Sequence, residues 1–193
     1  MSILVDQLPT AFEIDGKNFD IDTDFRTCIN IIMAFEDPEL TNIEKQLVML
    51  ENLYQDQPEN TAEAIRMAVK FLNGGSEEKE SESVYSPRVY SFTKDAQYIF
   101  SAFLQTHGID LQTVDMHWWK FLALFMDLGS DTTFSNIVSL RKKIKTGKAT
   151  KEEKEAAREI EHILDLPEDD DRSIDEKEAE LEFLRLVEEG KKK

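Results

Sequence analysis

Asp115-Met-His-Trp-Trp-Lys-Phe-Leu-Ala-Leu-Phe-Met-Asp-Leu-Gly129 is the stretch on which the reading of this chain turns. It gathers both tryptophans of the protein into one short run of helix formers closed by a glycine. On a helical period Trp118, Leu122, Phe125 and Met126 make one stripe, with Trp119 and Ala123 beside it. Phe121 and Leu124 cover much of what remains, which leaves Lys120 and Asp127 as solvent-side or rim positions. A helix apolar on so many sides must be covered on several of them, by its own domain or by a partner. It is too short and too interrupted to cross a bilayer, which takes about 20 apolar residues. Core packing accounts for most of these side chains. The surplus makes Trp118, Trp119, Phe121, Phe125 and Met126 the candidate partner-binding residues, completed by another subunit or by a client segment. On this reading, Trp119→Glu or Phe121→Glu leaves the fold soluble and abolishes client binding.

Around this helix the chain reads as mainly α, a compact multi-helix domain with a short N-terminal β-hairpin and an acidic C-terminal helical tail. Phe12, Ile14, Phe19 and Ile21 alternate with polar residues about Asp15-Gly16, a type I′ turn pair, so a hairpin is expected over 11–22. Phe12 then faces Phe19, and all four apolar side chains share one face that must lie on helices. Phe25, Cys28, Ile29, Ile32 and Met33 follow helical spacing up to Asp37-Pro38. Thr41-Asn-Ile-Glu44 is a capping box opening a helix with Ile43, Leu47, Leu50 and Tyr54 on one stripe. Asn60 caps a third helix carrying Ile65, Ala68, Val69 and Leu72, which Asn73-Gly74 ends.

Residues 75–83 contain only Gly, Ser, Glu and Lys, and an exposed linker is expected over 75–90. It either separates two domains or loops out of one. Beyond it, a helix from Thr93 turns Ile99, Phe100, Phe103 and Leu104 inward and stops at Gly108. The tryptophan helix follows, then one with Phe134, Ile137, Val138 and Ile144 that breaks at Gly147. Thr150-Lys-Glu-Glu153 is a second capping box, beginning a helix with Ala156, Ala157, Ile160 and Leu164. After Pro167 and Asp169-Asp170-Asp171, Ser173 caps a last helix with a narrow stripe of Leu181, Leu184 and Val187, closed by Gly190. The expected organisation is a helical core domain over 1–166 and an acidic helix or tail over 167–193.

The formal net charge is −17 and it is unevenly spread. Arg141 to Lys154 carries seven Lys/Arg against two Glu, whereas Ile160 to Gly190 carries thirteen Asp/Glu against three Lys/Arg. Such a balance repels phosphate backbones, so no nucleic-acid partner is expected. The basic stretch is a weak patch that the acidic region after it can neutralise. The single Cys28 permits no internal disulfide and suits a reducing compartment, and no secretory signal follows Met1. The expected location is the cytoplasm, with no membrane partner.

Chemistry-bearing patterns are sparse. Glu159-Ile-Glu-His162 has the spacing of di-iron bundles, but no second Glu-x-x-His exists to complete such a site. Asp165 to Glu176 resembles a calcium loop only in its end positions, with Pro167 at the third and Asp170 where the tight turn needs glycine. Cys28 lies on an apolar stripe with no histidine near it in sequence, as a buried structural thiol does. No phosphate loop, dinucleotide fingerprint or nucleophile elbow is present. No catalytic residue, metal or cofactor is expected, and the chain reads as a non-enzyme.

Two blocks of residues carry a family resemblance. Leu8-Pro, then Ile14-Asp-Gly-Lys17, then Ile21-Asp-Thr-Asp-Phe-Arg26 resembles the opening of a family of small proteins of long-tailed bacteriophages and prophages. His117-Trp-Trp-Lys-Phe-x-Ala-Leu-Phe125, followed by Asp131-Thr-x-Phe-Ser-x-Ile137 and Leu140-Arg141, resembles the same family's second signature. The resemblance runs to about Leu166 and is to the tail-assembly chaperones encoded just upstream of the tape measure gene. It implies a non-catalytic role in virion morphogenesis in the host bacterial cytoplasm. The implied partners are the tape measure protein and, secondarily, tail tube subunits; the tryptophan helix and the narrow last helix also point to a homo-oligomer. Met33, Met49, Met67, Met116 and Met126 and the large net charge suit such a holdase, although that methionine usage is also ordinary core composition. A tail completion or connector protein of the virion is the competing class. An acidic DNA mimic is a weaker one, since the acidic excess is concentrated at one end.

Overall fold

The computed structural model describes residues 3–76 and 88–166. The expected acidic tail over 167–193 and the middle of the expected linker lie outside the described residues.

The hairpin forms as its alternation dictates. Strands β1 (Ala11–Ile14) and β2 (Lys17–Asp20) pair antiparallel with Phe12 opposite Phe19. Asp15 and Gly16 both take positive φ, 51° and 76°, the left-handed pair that a type I′ turn requires. Phe12, Ile14 and Ile21 are buried and Phe19 is half-buried. The support for this face is specific. Ile21 bridges to Tyr54, while the Asp22 N–H donates to the Leu53 carbonyl at 2.8 Å and the Gln55 N–H to the Asp20 carbonyl at 3.1 Å.

Helix α1 (Phe25–Glu36) starts where Asp24 accepts from the Arg26 N–H at 2.8 Å. It buries Phe25, Cys28 and Ile31, and half-buries the Ile29, Ile32 and Met33 of the expected stripe. Helix α2 (Asn42–Leu53) opens with the expected Thr41/Glu44 capping box. Its inward face differs from the expected stripe: Met49, Leu50 and Leu53 are buried, whereas Ile43 is 66% and Leu47 50% exposed. Full burial is confined to the C-terminal half of α2, and the apolar side chains of its first turns stay at the surface. Helix α3 (Thr61–Leu72), capped by Asn60, buries Ala64, Ala68 and Phe71. Its alanines allow close approach, and the Tyr54 hydroxyl donates to the Ala64 carbonyl at 2.8 Å.

The second group of helices is α4 (Ala96–His107), α5 (Trp118–Met126), α6 (Thr133–Lys145), α7 (Lys151–Glu159) and α8 (Glu161–Leu164). Helix α4 buries Ile99, Ala102 and Phe103, so Leu104, expected inward, is 42% exposed. Helix α6 buries Phe134, Ile137 and Arg141; the inward line ends on an arginine, and Ile144 is 37% exposed. The single helix expected over 151–164 breaks at Ile160, which has φ −115° and ψ 24°. Glu159 and His162 thereby fall on separate helices and do not share a face.

One contiguous core joins both groups. It runs from Phe12 on the hairpin through Phe25, Leu53 and Phe71 to Phe103, Phe121 and Phe134. Phe121 sits at its centre, stacked on Phe25 and on Phe103 with ring centroids 5.0 Å away in each case, and on Trp118 at 5.5 Å.

Candidate partner-binding surface

The two halves of the sequence meet backbone to backbone at the start of α5. The Phe25 N–H donates to the Met116 carbonyl at 3.1 Å and the Trp118 N–H to the Thr23 carbonyl at 2.7 Å, making an antiparallel bridge between Asp24 and His117. The Arg26 guanidinium reinforces the junction by donating to the carbonyls of Leu111 and Val114, both at 2.8 Å. The side chain of His117 caps α5: Nδ1 accepts from the Trp119 N–H at 3.0 Å, and Nε2 lies 3.0 Å from the Pro9 carbonyl. Those partners select the neutral tautomer with its proton on Nε2.

The tryptophans have a structural task. A helix leaves its last four carbonyls without partners within the helix. At the end of α3, Trp118 Nε1 donates to the Leu72 carbonyl at 2.9 Å and Trp119 Nε1 to the Phe71 carbonyl at 2.8 Å. Two consecutive indoles therefore close the C-terminus of a helix 46 and 48 residues earlier in the chain. The turn that follows approaches them closely. Gly75 has φ +86°, and a Cβ there would stand 2.7 Å from Cη2 of Trp119. Gly75 is thus read in full only with the tryptophan beside it.

Of the five residues named from the sequence, Trp118 and Phe121 are fully buried and Phe125 is 7% exposed. Their period of i, i+3 and i+7 is the core-facing line of α5. Trp119 is half-buried, and Met126 is 82% exposed. The apolar side chains that α5 leaves at the surface are Met126, the outer edge of Trp119, the half-buried Leu122 and the exposed Ala123. Lys120 and Asp127 are exposed, as expected.

These outer residues form one wall of an apolar groove of about 900 Å³. Val69 and Leu72 of α3 and Ile32 and Phe35 of α1 form the others, with Ile3 at the N-terminal end. Phe35 is 41% and Ile3 51% exposed, so with Met126 they are the large apolar side chains of the lining that reach solvent. The sequence reading missed Phe35 and Ile3. Phe35 carried a signal, being an aromatic off the inward stripe of α1; Ile3, near the chain start, carried none.

The remaining candidate groups lie elsewhere. Cys28 is fully buried, and burial, followed by the charges of Asp22 and Asp24, pushes its thiol pKa far up. It is therefore neutral at physiological pH. Among the described residues no cluster of three or more His, Cys, Asp or Glu side chains is placed to hold a metal ion. No described helix is long and apolar enough to cross a membrane.

The described residues thus form a mainly helical core that carries an apolar groove and seals its only cysteine inside. The chain belongs to the family described as Bacteriophage Gp15 protein, which it matches over residues 4–166. Membership marks it as a phage structural or morphogenesis protein, of a family not known as enzymatic. No curated protein and no solved structure matches the chain.

Proposed function

We propose that this protein is a tail-assembly chaperone that holds the tape measure protein during tail morphogenesis, by receiving an apolar helical segment of it in the groove between α1, α3 and α5. The observation that carries the reading is the groove itself. Its walls are aliphatic, aromatic and methionine side chains, a lining that accepts an amphipathic helix and tolerates variation in its sequence. The rest of the molecule is strongly acidic, with a net charge of −17, which keeps an assembly with a long hydrophobic client dispersed. The resemblance of the two sequence blocks to tail-assembly chaperones supplies the identity of the client, and membership of a phage family supports it. On this reading the protein acts by reversible binding and takes no part in bond chemistry.

The test is co-expression of this chain with the protein encoded immediately downstream. The expected result is a soluble partner that co-elutes with it on size exclusion, and loss of that partner with Met126→Glu or Phe35→Glu while the variant chain itself remains folded. A partner that stays insoluble, with this chain eluting alone and recovered in purified particles, identifies a structural virion component instead. A complex that survives both substitutions would place the binding surface away from the groove.

A further inference from the structure

We propose that the exposed face at the start of α2 in one copy of this chain docks in the groove between α6 and α7 of a second copy, joining copies head to tail. The receiving groove, of about 520 Å³, has an apolar floor that includes Ile144, Ala157 and Leu164. Ile144 is 37% exposed, on a helix whose inward line is buried up to Arg141. Lys145, Lys154 and Arg158 line the groove and are exposed, and no ion pair among the described residues engages any of the three. Two carboxylates, Glu161 and Asp165, also line it.

The α2 face has the same apolar centre and the opposite charge. Ile43 and Leu47, one turn apart, are 66% and 50% exposed. Glu39, just before the helix, and Glu51, one turn beyond Leu47, are exposed and enter no ion pair among the described residues. Glu44 beside Ile43 is exposed as well, whereas Lys45, two positions from Ile43, falls on the far side of the helix.

Charge decides which surface meets which. A two-fold contact through α2 would set carboxylates against carboxylates, and one through α6 and α7 would set cations against cations. Only the crosswise pairing brings Glu39, Glu44 and Glu51 to Lys145, Lys154 and Arg158 while covering Ile43, Leu47 and Ile144 together. Copies with a formal charge of −17 each repel one another at large, so their contact needs such a local match. Because the giving and receiving faces differ, the contact is heterologous and repeats from copy to copy, in a ring or an open chain. None of these residues lines the groove between α1, α3 and α5, so that groove stays open and the inference stands apart from the client reading.

The experiment is sedimentation velocity of the full chain at rising concentration, with each face reversed in turn. One variant carries Glu39→Lys and Glu51→Lys; the other carries Lys145→Glu, Lys154→Glu and Arg158→Glu. Circular dichroism verifies the fold of both. The expected result is a parent chain that self-associates, and variants that each do so at least about tenfold more weakly when alone. Salt at about 0.5 M weakens the parent assembly in the same direction. An equimolar mixture of the two variants regains association, since the reversed α2 face then meets the reversed groove and the native face the native groove. A parent that is still monomeric at about 100 μM overturns the proposal. So does an assembly that either variant forms as well as the parent, or one that mixing the variants does not restore.

Discussion

Arg141 and Asp95, 46 residues apart in sequence, form a buried two-pronged ion pair at 2.6 and 2.9 Å, with exposures of 2% and 0%. All five N–H donors of the guanidinium are used. Beyond the two to Asp95, Nε donates to the Leu164 carbonyl at 2.9 Å, Nη2 to Ile163 at 2.6 Å and Nη1 to Val89 at 3.1 Å. Asp95 in turn accepts the Ser91 N–H at 3.0 Å. One side chain thus ties α6 to the start of α4, to α8 and to the segment entering α4, an arrangement for which arginine's planar fork is suited and lysine is not.

Removing one member leaves the other charge buried without a partner. Arg141→Met and Asp95→Leu are each expected to destabilise the protein by about 3–5 kcal/mol. The double variant is expected to lose less than the sum of the two, because neither charge remains. Urea unfolding of the four proteins in a double-mutant cycle measures this. Equal single and additive double effects would show that the pair is not coupled.

The two indole bonds at the end of α3 predict a graded response. Trp118→Phe and Trp119→Phe keep most of the packing but orphan a carbonyl, at a cost of about 1–3 kcal/mol each. Gly75→Ala is expected to destabilise by a similar amount, since a β-carbon at φ +86° meets the Trp119 ring at 2.7 Å. In the Trp119→Ala background the added cost of Gly75→Ala falls to that of the backbone alone. Tryptophan fluorescence followed through denaturation reads all of these.

Phe121 and Met126 occupy one helix and are expected to behave as opposites. Phe121 is fully buried in a stack of rings, so Phe121→Ala costs about 3–5 kcal/mol. Met126 is 82% exposed, and Met126→Ala is expected to stay within about 0.5 kcal/mol of the parent. Thermal unfolding separates the two.

Cys28 makes stability fall in alkali. Its pKa is raised in the folded state, chiefly by burial, so the folded protein retains a proton that the unfolded chain gives up above its ordinary value of 9.0. The contribution is therefore whole below pH 9.0 and is lost as pH rises above it. The expected slope from this group is about 1.4 kcal/mol per pH unit, and Cys28→Ala removes it. Urea midpoints between pH 8 and pH 10.5 check the sign, and an aromatic disulfide reagent is expected to modify Cys28 only on unfolding.

How far the chain could be read in advance depended on how local each feature is. The hairpin register followed from alternation about Asp15-Gly16, and both capping boxes followed from a Thr and a Glu three residues apart. Those signals lie within a few residues and carry their own hydrogen bonds. The inward faces of α2, α4 and α6 were legible only in part. Ile43, Leu47, Leu104 and Ile144 have the right spacing for a core stripe but lie beyond the area their neighbours cover. The tryptophan helix was recognisable as exceptional, yet which of its residues face out was not, because nearly every position is apolar.

The sequence alone determined the helical class, the turn and cap positions, the charge distribution and the two blocks that carry the family resemblance, since each rests on neighbours along the chain. Tertiary structure alone decided that Trp118 and Trp119 close the end of α3, that Arg141 and not Ile144 completes the buried face of α6, and that Phe35 and Ile3 join Met126 around one groove. Each of these depends on where a carbonyl, a carboxylate or an empty volume from a distant segment comes to lie, and helical periodicity holds no record of it.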